Sequence, residues 1–407
     1  MTSSQLMPVE EALRTLLEGV EPLDSEIISL SSANGRVLAE DLYSTRTQPP
    51  FSASAMDGYA VRAEDVGNPP ASLEVIGEAP AGHAFQGTLK AGQAVRIFTG
   101  APVPEGADTV VIQENTQRQD NLVTVLEAPK RGANIRKLGL DFHEGQKLLR
   151  KGDRLDFRSL SLAASMNHPT VPVVRKPRVA ILATGDELVT PGTDPKPDQI
   201  IASNQLGLTA LVEDCGGIPI DLGIAIDDEK VIGHFVRQAL TEKADILVTL
   251  GGASVGDHDL IHDALGQAGM NLAFWKIAMR PGKPLMAGHI GNTKVLGLPG
   301  NPVSSLVCAL LFLRPLLARM SNLTSSGTKV QKARLTGSLP ANDHRQDYVR
   351  AKLHRHEDGT FSVTPFSLQD SSLLGLFSQS SALIIRTPYA QPASENDQVD
   401  FLPITSI

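Results

Sequence analysis

Aromatic residues make up only 4% of this 407-residue chain, which argues against an extended base-stacking platform for single-stranded nucleic acid. Long basic runs are missing, and the formal net charge is -8. Such a chain is not built as a general binder of nucleic acid or other polyanions, although a small anion can still meet a locally positive pocket. Cysteine is scarce. Cys215 and Cys308 stand at no metal-ligand or redox spacing and lie in apolar helical stretches. Both are expected as buried packing residues in a reducing compartment. The N-terminus, MTSSQLMPVEEAL, lacks a basic segment followed by an apolar run. Neither a signal peptide nor a membrane span is expected, and the cytoplasm is the expected location. The histidines form no spaced ligand set. His354 and His356 alternate along an expected strand and read as exposed polar residues. No Ser-His-Asp or Cys-His nucleophile set follows from spacing.

What is present points to several packed domains. Hydrophobic residues are 41% and charged residues 20% of the chain, enough for about two to four soluble cores at this length. Val9, Ala12, Leu13, Leu16, Leu17 and Val20 repeat at helical spacing behind Pro8, an amphipathic helix with a first-turn proline. From 45 to 145 the chain is rich in proline and glycine, with short β-rich runs at 73–76, 94–98, 109–112 and 122–125. This reads as a β-rich insert domain. It interrupts a discontinuous helical linker domain, expected over 1–44 and 146–177. From 178 to 322 buried apolar runs alternate with amphipathic helices, as in a three-layer α/β/α domain with a mostly parallel sheet. A Ser/Thr/Gly linker at 324–329 leads into short strands over 323–407, a small C-terminal β domain. It is expected to be barrel-like, with a sandwich left open. The fold class is therefore multidomain α/β plus β.

Ligands of open α/β sheets sit beyond the carboxyl ends of the strands, and each such end here runs into an unusual loop. These are Thr184-Gly185-Asp186-Glu187-Leu188, Gly251-Gly252-Ala253-Ser254-Val255-Gly256-Asp257-His258-Asp259 and Pro299-Gly300-Asn301-Pro302. Ser203-Asn204 opens another helix. Glycine lets backbone amides approach an anion, and a following helix N-terminus adds positive potential. Asp257 and Asp259 would repel a bare phosphate but suit a divalent cation that bridges carboxylates and phosphate, and magnesium favours that arrangement. Each loop alone would read as an ordinary turn, with Asp257 as a helix cap; three at neighbouring strand ends favour a site. No Gly-Lys-Ser/Thr closes the glycine loop, and the dinucleotide fingerprint is missing from its usual place. P-loop and dehydrogenase chemistry are both disfavoured. Lys276, Arg280 and Lys283 cluster in a loop stiffened by Pro281 and Pro284, as a tetrahedral oxyanion needs fixed cationic donors. The plainer alternative is a solvated basic loop.

Four stretches in one order carry a resemblance: 54–60 (SAMDGYA), 99–108 (TGAPVPEGAD), 280–284 (RPGKP) and 298–302 (LPGNP). Together they resemble the molybdopterin molybdenumtransferase family over nearly the whole chain, most strongly over 51–145 and 178–312. The resemblance implies an elongated four-domain homodimer that uses magnesium. Adenylylated molybdopterin and molybdate are its implied substrates, and molybdenum cofactor and AMP its products. It implies catalytic positions at Asp57, Thr99, Asp141, Glu187, Asp227 and Asp259, and metal binding among Asp257, Asp259 and Glu187. Substrate contacts are implied at Ser254, Lys276, Arg280, Lys283, Pro299, Pro302, Ser304, Arg350 and Ser371. Implied partners are the adenylyltransferase and cofactor-accepting molybdoenzymes or chaperones, with no nucleic acid and no membrane. The chain departs from the family pattern at Ser52-Ala53, Leu140, His262 and Gln369-Asp370-Ser371-Ser372. Molybdate and tungstate are too alike in size to be separated here. Two other functions compete: adenylylation of molybdopterin by the 178–322 region, and a non-enzymatic dimeric scaffold that binds partner peptides.

Overall fold

A computed structural model describes residues 6–251, 260–323 and 329–404. Its centre is a six-stranded sheet in the order Ile218–Ala225, Arg178–Thr184, Ile246–Leu250, Thr293–Leu298, Met286–Ile290, Asn271–Trp275. The first four strands are mutually parallel, and the last two pairings are antiparallel. Val179, Ile181, Ile246 and Val248 face one helical layer, while Ala180, Leu182 and Leu247 face the other. Burial on both faces explains why these strands read as unbroken apolar runs. One layer holds Asn204–Asp214 and the helix Pro302–Met320; the other holds Glu229–Thr241 and Leu260–Gln267. The α/β/α layering is thus as expected, and the antiparallel hairpin across Gly291-Asn292 makes the sheet mixed.

Pro302–Met320 is long and apolar enough to cross a membrane by length and composition. Instead Val303, Val307, Phe312, Leu313, Leu316 and Leu317 are fully buried in the α/β core. The amphipathic helix Val9–Leu17 packs there too, through Val9, Ala12 and Leu16.

A separate core gathers Leu38, Phe142, Leu155, Met166, Val171 and Val173. Around it Ser25–Ser29 pairs antiparallel with Thr170–Val174, a strand pair within the segments expected as a helical linker domain. The helix Phe157–Ser165 starts at a capping box in which Asp156 accepts from the Arg158 and Ser159 amides, both at 3.0 Å. Arg175 then clamps this region to the α/β domain. Its Nη1 and Nη2 donate to Asp245 at 2.8 and 2.6 Å, and the Arg178 amide donates to the same carboxylate at 2.8 Å.

The insert is a six-stranded sheet with a small apolar core on each face. Gly58 is obligatory in it, because a Cβ there would lie 1.9 Å from the Val111 carbonyl oxygen. The C-terminal strands close into a five-stranded barrel, since Gln346–Arg355 pairs with both Phe361–Pro365 and Ala382–Arg386. Closure settles the choice between barrel and sandwich and removes exposed edges. Gln398–Pro403, whose alternation the sequence reading passed over, completes the ring. The barrel is tied to the α/β domain by a short parallel pairing of Met279–Arg280 with Gln346 and Asp347.

Removing the Asp245 carboxylate strands one guanidinium and one amide at a domain junction. Asp245→Ala is expected to lower stability by about 1.5–3 kcal/mol, the range for hydrogen bonds to a charged group. A denaturant midpoint equal to wild type would contradict the clamp.

Candidate functional site

The strands ending at Thr184, Leu250 and Leu298 are parallel neighbours, so the loops that follow them leave the sheet on one edge. There they surround a cavity of about 600 Å³. Glu187, Asp227, Pro299 and Pro302, all expected site residues, line it together. Gly251 allows the close approach: its φ is +99°, and a Cβ would lie 2.7 Å from the Thr184 carbonyl oxygen. Leu188–Val189 and Ile200–Ile201 form a small parallel flap over one side. Asn204 opens the next helix and donates through Nδ2 to the Gly300 carbonyl at 2.7 Å, which fixes the Pro299–Pro302 turn against that helix.

This cavity carries negative charge. Burial, Asp186 and Glu187 together push the Asp227 carboxyl above its ordinary range, against the opposing effect of a hydrogen bond from the Asp186 backbone; the Asp227 amide in turn donates to the Asp186 carboxylate at 3.0 Å. Ser254, Asp257 and Asp259, which the glycine loop was expected to contribute, lie outside the described residues.

The barrel supplies the far wall. Asn301 Nδ2 donates to Ser371 Oγ at 3.0 Å, the Val303 amide donates to the Ser371 carbonyl at 3.1 Å, and Ser372 lines the cavity. Behind this loop sits Arg350, only 1% exposed. Its Nε donates to Gln369 Oε1 at 3.0 Å and its Nη1 to the Asp370 carbonyl at 2.6 Å. Arg350 was expected as a substrate ligand; it is a buried brace for the loop that carries Ser371 and Ser372 and does not line the cavity. Ser304 likewise lies buried within its helix.

The basic loop is divided in the same way. Pro284 lines the cavity while Lys283 is exposed beside it. Arg280, expected as an oxyanion donor, turns to the barrel and pairs with Asp347 and, at 3.4 Å, with Asp343. Its charge is thereby matched by carboxylates. Lys276 rests its ammonium 4.6 Å from the centre of the Trp275 ring.

A second constellation forms at one end of the insert. The Thr99 amide and hydroxyl both donate to Asp57 Oδ1, at 2.7 and 2.8 Å, and hold that carboxyl below its ordinary range. Pairing of Ala53-Ser54 with Ile135-Arg136 and a hydrogen bond from the Gly100 amide to the Ser54 carbonyl join three distant stretches here. Asp141 is exposed and tied through its amide to the Gln48 carbonyl at 3.0 Å. None of these residues lines the α/β cavity within one chain.

Comparison with known proteins places this geometry. Residues 7–167 match the MoeA N-terminal region (domain I and II), 180–319 a probable molybdopterin binding domain, and 332–404 the MoeA C-terminal region (domain IV). The chain is 41% identical to the molybdopterin molybdenumtransferase of a Nostoc species over 81% of this chain and 78% of that one. It is 35% identical to its Haemophilus influenzae counterpart over 99% and 100%. The chain belongs to the molybdopterin molybdenumtransferase family. It is accordingly a transferase of molybdenum cofactor biosynthesis. The molybdopterin biosynthesis MoeA protein of Pyrococcus horikoshii shares its fold, with a TM-score of 0.86 and 30% identity over 99% of this chain and 100% of that one. The family match runs through the insert and the barrel as well as the α/β domain.

Sequence reasoning left Asn204, Pro284 and Ser372 out of the site, although Ser203-Asn204 already stood out as a helix start. Ser372 had a usable signal only in its neighbour Ser371.

Because folding raises the Asp227 pKa, ionisation of this group opposes folding above that pKa, and the penalty disappears below its unfolded value. Asp227→Asn is therefore expected to melt higher than wild type near neutral pH. The two proteins should converge as pH falls to about 4. Parallel melting curves across that range would sink the assignment.

Proposed function

We propose that the α/β cavity takes adenylylated molybdopterin together with molybdate, and that the protein inserts molybdenum into the pterin dithiolene with release of AMP. One observation carries the reading: Glu187, Asp227, Pro299, Pro302 and Ser372, drawn from four separate loops and two domains, line one cavity at the carboxyl ends of the parallel strands. Rigid turns suit a reaction that is mostly positioning of two bound reactants. Lys276 and Lys283 are the cations on this edge that carry no carboxylate partner in the described residues, and they supply attraction for a tetrahedral dianion. Arg350 and Arg280 serve the same pocket indirectly, by holding the barrel against it.

The acidic side of the cavity suits a divalent cation. Among the described residues no three carboxylates or imidazoles converge tightly enough to hold an ion alone, yet magnesium keeps several waters and uses one or two carboxylates plus substrate phosphate. Glu187, with Asp257 and Asp259 from the loop beyond the described residues, is the proposed donor set. Bound there, magnesium would stabilise charge as the phosphoanhydride breaks.

The working unit is proposed to be a homodimer. Asp57 and Thr99 stand away from the cavity of their own chain, and a second copy could bring this pair to it. The protein is proposed to act in the cytoplasm, receiving substrate from the adenylyltransferase and passing cofactor to molybdoenzymes or their chaperones.

Incubation with adenylylated molybdopterin, magnesium and molybdate decides between activities. Molybdate-dependent AMP release is expected. Transfer of AMP from ATP would mean adenylylation instead, and inertness combined with peptide binding would mean a scaffold. Lys283→Ala should raise the half-saturating molybdate concentration by about tenfold, as loss of one charge-assisted contact implies; an unaltered dependence removes that ammonium from the ligand set. Asp257→Ala should weaken turnover at limiting magnesium while the fold is kept, and undiminished turnover there would rule out its metal role.

A further inference from the structure

The chain's single tryptophan, Trp275, ends the outermost strand of the α/β sheet. Register carries it to the ligand edge: Trp275 lies opposite Met286, Met286 opposite Gly297, and Gly297 opposite Thr249. It therefore stands level with the ends of the strands that open onto the cavity. Among the described residues its ring has two partners. The His262 imidazole stacks on it with centroids 5.1 Å apart and planes at 12°. The Lys276 ammonium lies 4.6 Å from its centroid. The indole Nε1, in contrast, is buried without a hydrogen-bond partner among the described residues, so this residue is engaged through its π surface.

Lys276 itself has an unusual backbone, with φ at +74°, a conformation that a long side chain rarely adopts without a reason. Hydrogen bonds pin it: the Lys276 amide donates to the Leu285 carbonyl at 3.0 Å, and the next amide, of Ile277, donates to Lys283 at 3.0 Å. The main chain thus sets where the side chain starts, and the indole sets where it ends. A free lysine loses much rotamer freedom when it grips an anion. An ammonium already rested on an aromatic face loses less at the moment of binding.

We propose that Trp275 is a positioning residue that holds the Lys276 ammonium at the ligand edge, with His262 fixing the indole from its own helix. The inference rests on the reading of Lys276 as an oxyanion-binding cation. It also gives a purpose to His262, whose ring lies 3.5 Å from the Asp263 carboxylate.

The test uses the full-length protein and two readouts. In the molybdate-dependent reaction, Trp275→Leu is expected to raise half-saturating molybdate about three- to tenfold. Its kcat at saturation should stay within about twofold. Trp275→Phe, which keeps an aromatic face, should restore most of the affinity. In the ligand-free protein, the emission of the sole indole should change on Lys276→Met and on His262→Leu. Superimposable spectra from all three proteins overturn the proposal, even where Trp275→Leu does not fold. Unchanged molybdate dependence in Trp275→Leu, beside a raised one in Lys276→Met, also overturns it and leaves the proposed function standing. Unchanged dependence in Lys276→Met removes Lys276 from the ligand set, and the positioning role falls with it.

Discussion

Parallel pairing of fully buried strands is the constraint on which this structure depends. Because Arg178–Thr184, Ile246–Leu250 and Thr293–Leu298 run side by side in one direction, their exit loops share an edge. Helices on both faces leave those loops one place to go, the crevice beyond the strand ends. Charged and glycine-rich turns from positions 184, 251 and 299 thereby become neighbours. Each would be an ordinary surface turn if its strand ran the other way.

The other domains act on that edge from outside. The barrel reaches it with a single loop, and a buried arginine shapes that loop through Gln369 and Asp370. A guanidinium so enclosed loses hydration, and burial lowers its pKa. Hydrogen bonds to an amide oxygen and a carbonyl compensate. Arg280 makes the reciprocal tie, from the α/β domain to carboxylates of the barrel. Two cations that look like anion ligands in the sequence are thus spent on geometry. The lysines remain at the edge, and one of them leans on the only indole of the chain. The insert holds its own constellation apart, with an Asp57 carboxylate kept ionised by two donors from Thr99.

Much of the architecture was legible beforehand. Unbroken apolar runs marked the doubly covered strands, and helical periodicity marked Val9–Leu17. The strands at Thr109–Ile112 and Leu122–Val125 were read with the bounds observed. Less visible were Thr170–Val174, masked by a proline inside the strand, and Gln398–Pro403, where acidic and apolar residues alternate at the chain's end.

The sequence by itself determined which segments are buried, which turns are rigid, and, through four short stretches in one order, the family to which the chain belongs. These are local properties of side-chain type and spacing. Only the tertiary structure decided which of the arginines are committed to contacts within the protein. An arginine reads the same in sequence whether its donors meet a substrate or a neighbouring carbonyl. The difference lies in contacts between residues as far apart as Arg280 and Asp347, which spacing along the chain does not encode.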